Sequence, residues 1–162
     1  MWSKFGWVFL LSVIPVSEIR GAMIYAFMNL EETTQLIAAY LLSVLGNFLP
    51  VPFIILLFRP VVKWLKTTRL FGRAAHWLEE RTSRKAGRLS KATAGALMVF
   101  VAIPFPTTGA WTGAMIASLL DIRFKYALPA ILAGIMIAGI VMTLLLTGVL
   151  NLGALGEWLV TN

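Results

Sequence analysis

The chain contains no cysteine, so disulfides and thiolate metal sites are excluded from the outset. Its one histidine, His76, lies among basic residues, where a solvated role is far commoner than ligation; neither a metal nor a cofactor is expected. Charge is scarce: 13% of residues are charged, against about a quarter in soluble domains. No nucleophile and base pair, phosphate-binding loop or ATP-hydrolysing motif is present. That argues against an enzyme and leaves any pumping to an ion gradient or a partner. No small-residue cleavage site follows the apolar start, and Glu18 and Arg20 interrupt it, so the region reads as mature structure rather than a signal peptide.

What fills the chain is apolar. Hydrophobic residues make up 59% of it and the mean hydropathy is +0.86. An all-α integral membrane protein follows. The 162 residues accommodate about four membrane segments at roughly 20 residues each. Two of these segments read alike: Ile14-Pro15-Val16-Ser17-Glu18-Ile19-Arg20-Gly21-Ala22-Met23-Ile24 returns as Ile103-Pro104-Phe105-Pro106-Thr107-Thr108-Gly109-Ala110-Trp111-Thr112-Gly113-Ala114-Met115-Ile116. Both open on Ile-Pro and close on Gly-Ala-Met-Ile. Interrupted apolar segments in matching positions of two chain halves point to a transporter site near the bilayer midplane.

The chain therefore divides into repeat one (1–58), a linker (59–91), repeat two (92–150) and an interfacial tail (151–162). Each repeat is expected to be a re-entrant helical hairpin, broken at Pro15 or at Pro104 and Pro106, followed by a transmembrane helix. The first of those long helices, Leu36 to Phe58, should kink at Pro50 and Pro52. In the second, Pro129 suits the first turn. Ten of the fourteen basic residues fall between Arg59 and Lys91 against two acids, and the remainder carries four basic and five acidic residues. Such a run between two hydrophobic halves is the positive-inside signal, which places the linker in the cytoplasm and the chain as a multi-pass protein of the inner membrane. Its first half has Val61, Trp64, Leu65 and Thr68 on one helical side and Lys63, Lys66 and Arg69 on the other, so it should lie flat on anionic headgroups; nucleic acid is not the expected partner. With the linker inside, the charge bias and the repeat logic favour hairpins that dip and return from opposite sides, making the halves inverted copies; a first segment that spans fully is the alternative.

Glu18 and Arg20 are the ionisable residues of the first broken segment, and the second has none. An ionisable group at membrane depth costs at least about 2.5 kcal/mol, so its default reading is functional. Two residues apart on a continuous helix they would point to nearly opposite sides; at a break after Pro15 they can face one cavity. A structural ion pair at the hairpin tip is the competing reading. Ser17, Thr107, Thr108 and Gly109 suit the N-caps of the returning half-helices, whose free N–H groups attract anions. With Arg20 they form a candidate site for an anionic group, and Glu18 is the candidate proton carrier. Asn47 either hydrogen-bonds across helices or lines the path, and Trp111 either walls the cavity or packs in the core.

Taken together, the residues Ile14-Pro15-x-Ser17-Glu18-x-Arg20-Gly21-Ala22, Gly46-Asn47-x-x-Pro50-Val51-Pro52 and Pro104-x-Pro106-Thr107-Thr108-Gly109-Ala110-Trp111-x-Gly113 resemble the small multidrug export protein family of bacteria and archaea. That family is in turn distantly similar to the DedA and VTT-domain membrane proteins. The resemblance implies a transporter of small molecules, or in its DedA-like form a translocase of lipids or polyprenyl phosphates. A non-transporting membrane scaffold is the reading from another class. The expected partners are membrane lipid, a second copy of the chain, and a small-molecule or lipid-phosphate substrate.

Overall fold

The computed structural model of the chain describes residues 2–66, 86–105 and 108–161. Pro106, Thr107 and the central part of the basic linker, His76 included, lie outside the described residues. Among the described residues there are seven helices and no strand. In chain order they are α1 (Trp2–Val13), α2 (Glu18–Asn29), α3 (Thr33–Phe48), α4 (Pro50–Lys66), α5 (Ala86–Ala102), α6 (Ala110–Leu119) and α7 (Phe124–Thr161).

Prolines set most of the boundaries. A proline has no N–H to give and crowds the preceding turn, so the chain leaves α1 just before Pro15 and leaves α5 before Pro104. The four resulting half-helices are short; α1 and α2 have 12 residues each and α6 has 10. A 12-residue helix is roughly 18 Å long, well under the 30 Å or so of a hydrocarbon core, so neither α1 nor α2 spans alone. At Pro50 the interruption is milder: Leu49 stays helical in its dihedrals, and Thr33–Phe58 remains one apolar stretch with mean hydropathy 2.3. This stretch and Phe124–Gly148, at 2.5, are long and apolar enough to cross a membrane.

Four boundaries differ from the sequence reading. The linker is helical at both ends, since α4 continues to Lys66 and α5 starts at Ala86. The alternation of apolar and basic residues after Phe58 suits a helix as well in continuation of α4 as on its own. The last helix runs through the expected tail to Thr161, where no proline stops it. It also begins earlier, at Phe124, because the Arg123 carbonyl already accepts from the N–H groups of Tyr126 (2.8 Å) and Ala127 (3.0 Å). Pro129 therefore sits past the first turn.

The packing has a regular plan. α1 lies on α3, and α5 lies on α7. α2 packs on α3 and α7, and α6 packs on α4 and α7. Their common core holds Ile19, Met23, Ile55, Val101, Ile131 and Ile135. Close approach of α5 to α7 depends on Gly134, where a Cβ would lie 2.7 Å from the Val101 side chain and 2.8 Å from the Met98 carbonyl oxygen. Large apolar side chains such as Leu41, Leu45, Leu57, Ile140 and Leu144 face outward, the surface a bilayer would cover.

Candidate functional site

At the first break the chain closes a turn in which Glu18 N–H donates to the Ile14 carbonyl at 2.9 Å and Gly21 N–H to Ser17 at 2.9 Å. Glu18 opens α2 with φ of 49°, in the left-handed region that a residue with a Cβ seldom enters. That backbone turn lets Glu18 and Arg20, two positions apart, reach the same second break. Ser17 precedes α2 but makes no capping bond with its side chain, because its dihedrals are right-handed helical rather than the extended ones an N-cap needs. Pro15 is exposed on the outside of the turn.

The second break is held by its own polar atoms. Phe105 N–H donates to Ile103 at 2.8 Å, and Thr108 N–H to Phe105 at 3.1 Å. The Thr108 hydroxyl lies 2.7 Å from the Ile103 carbonyl oxygen and 2.9 Å from that of Phe105, sharing its one proton between them. Gly109 precedes α6, and its N–H donates to Thr112 Oγ1 at 3.0 Å. Pro104 lies in this segment; Pro106 and Thr107 cannot be placed in it.

Side chains from each break cap the other. The Glu18 carboxylate lies at the start of α6, where it accepts from the N–H of Trp111 at 3.4 Å. A carboxylate at a helix N-terminus meets unpaired N–H groups and the positive end of the macrodipole. Gly109 makes room for it, since a Cβ there would fall on the carboxylate. Arg20 goes to the carbonyl side: its Nη2 donates to Ile103 O at 3.2 Å, to Thr108 Oγ1 at 3.2 Å, and to the Thr108 carbonyl. In return, the Trp111 indole N–H donates to the carbonyl of Val13, the last residue of α1, at 3.2 Å. Glu18 is 5% exposed, and Arg20 Nε is buried without a hydrogen-bond partner.

The structure thus brings together Glu18, Arg20, Thr108, Gly109 and Trp111. Asn47 lies in α3 at 1% exposure, and among the described residues its Oδ1 meets no donor. The carbonyls of Val13 and Ile103 belong to the site too; being backbone atoms, they carry no signal in the sequence. Among the described residues no group of His, Cys, Asp and Glu is arranged to hold a metal ion. Chemically, the arrangement is a buried carboxylate and a half-buried guanidinium engaged with opposite backbone ends of one break.

The pattern of the family described as "Putative small multi-drug export protein" matches residues 18–141. The chain belongs to this family. The matched region begins at Glu18 itself and takes in Arg20, Asn47, Thr108, Gly109 and Trp111, leaving α1 and the end of α7 outside. The family's description, together with two apolar helices of spanning length, indicates a membrane location and a transporter rather than an enzyme. No curated protein and no solved structure matches the chain. The distant likeness to DedA and VTT-domain proteins is not among these findings.

Proposed function

We propose that the chain is a proton-coupled secondary transporter of the inner membrane, in which Glu18 and a substrate anion compete for the N-terminus of α6. The observation that carries this reading is the Glu18 carboxylate placed on the Trp111 N–H at the start of α6, with Arg20 on the same break. An ionised Glu18 is held there by the helix N-terminus; a protonated one loses most of that attraction and yields the N–H groups. An anionic group of the substrate then finds the backbone donors that open α6 and the unpaired Arg20 Nε–H. Deprotonation reverses the exchange and expels it. Proton and anion thus occupy the site in step. The chemistry suits a drug carboxylate and a lipid phosphate alike.

In the same reading the two broken units are re-entrant hairpins of inverted repeats. The packing plan supports it, since each second half-helix rests on both long helices and could be released from one while held by the other. The test is flux of carboxylate-bearing drugs into proteoliposomes under an imposed pH gradient. Glu18→Gln should make flux indifferent to the gradient, and Arg20→Ala should weaken binding by about 2 kcal/mol or more. A Glu18→Gln chain that keeps the wild-type pH profile would overturn the coupling. Loss of folding and abundance alone in both variants is the result a scaffold would give.

A further inference from the structure

A proton carrier sealed inside a helix bundle needs water within reach, and α3 offers a polar seam for it. Ser43, Gly46 and Asn47 are spaced i, i+3, i+4 and so share one face of α3. Ser12 of α1 packs directly over Gly46, together with the Phe9 carbonyl. Ser12, Ser43 and Asn47 are all fully or almost fully buried. Ser12 Oγ donates to Phe9 O at 2.7 Å and Ser43 Oγ donates to Ala39 O at 2.7 Å, which uses the one proton of each hydroxyl. Their lone pairs and Asn47 Oδ1 remain, so the seam has acceptors and no hydroxyl proton left to satisfy them.

The seam lies at the level of the site. Ser12 is followed by Val13, whose carbonyl takes the Trp111 indole N–H, and the backbone N–H of Trp111 holds Glu18. Farther along, Ser118 of α6 donates to Ile55 O of α4 at 3.1 Å, so α6 runs parallel to the α3 and α4 stretch. Asn47 and Ile55 are eight residues apart, as are Ala110 and Ser118, which sets Asn47 opposite the start of α6. We propose that the Ser12, Ser43 and Asn47 seam binds water, and that this water is the route by which Glu18 exchanges its proton. Water, which both donates and accepts, matches a seam that holds spare acceptors beside the two N–H donors of the Asn47 amide, and buried water is found where buried polar groups lack partners. The route rests on the proton-coupled reading of Glu18; the water site does not.

The experiment is water-edited solid-state NMR on the labelled full chain in lipid bilayers, reading how fast water magnetisation reaches each side chain. Transfer to the Asn47 amide should be several-fold faster than to Ile131 and Ile135, which are equally buried but apolar. Asn47→Leu should slow transfer to Ser12 and Ser43 as well, and should slow proton-coupled flux. Ser43→Ala is the milder variant and should act in the same direction on transfer. Transfer to Asn47 as slow as to Ile131 overturns the water site and leaves the Glu18 exchange standing. A wet seam with flux unaffected by Asn47→Leu overturns the route. Gradient dependence kept in Glu18→Gln would instead count against the proton-coupled reading of Glu18 on which the route rests.

Discussion

Glu18 does two things that no other described residue does. It enters the left-handed backbone region without being glycine and without ending a helix, and it places a carboxylate on the first turn of α6. Asp121 has a similar φ of 50° for an ordinary reason: it follows α6, and Ile122 N–H closes back on Ala117 O at 2.9 Å, a common helix ending. Glu18 has no such local excuse, and strain of that kind persists only where surrounding structure enforces it. Gly109→Ala is therefore an informative variant. The Gly109 backbone is extended, which alanine accepts, so the added methyl acts only by pushing the carboxylate off α6. It should reproduce the loss of gradient dependence expected of Glu18→Gln while the chain still reaches the membrane, measured by flux and by abundance together. The sequence announces Glu18 and Arg20 by their cost at membrane depth and Gly109 as a candidate N-cap, and it leaves Trp111 between wall and core. It does not announce which partner each takes. The capping role of Ser17 fails because it depends on dihedrals that the tertiary contact of Glu18 overrides.

At the scale of elements, the breaks are legible because proline acts locally: Pro15, Pro50 and Pro104 each mark a boundary whatever surrounds them. The ends of α4, α5 and α7 are less so. Whether a helix stops at the edge of an apolar run or continues into a polar one depends on packing and solvent, and a basic stretch with helical spacing fits both outcomes. Close contact between α5 and α7 is the element-level feature most exposed to test. Gly134→Ala puts a methyl against Val101 and a backbone oxygen that cannot rotate away. It should cost about 1–3 kcal/mol, the usual range for overpacking, read as a lower unfolding midpoint in detergent. Gly95 on α5, where a Cβ meets nothing within 4 Å, is the matched control and should tolerate alanine.

For the whole molecule, four short half-helices and two spans leave little surface for both a lipid-facing shell and a cavity, so the chain is expected to work as a homodimer. Single-molecule photobleaching in bilayers should show two-step traces, and single steps at working dilution would count against it. Because the chain has no cysteine of its own, single introduced cysteines report sidedness cleanly. Cysteines at Ser3 and Glu31 should label from the same side if the first unit dips and returns, and from opposite sides if it spans. Coupling at this scale comes down to whether proton uptake at Glu18 frees α6. The most direct measurement is a pH titration of the labelled chain in bilayers that follows the Glu18 carboxyl carbon and the Trp111 backbone amide together by NMR. The two signals should move with one midpoint, and the Trp111 shift should vanish in Glu18→Gln. A Trp111 amide that stays fixed while Glu18 titrates would contradict the exchange.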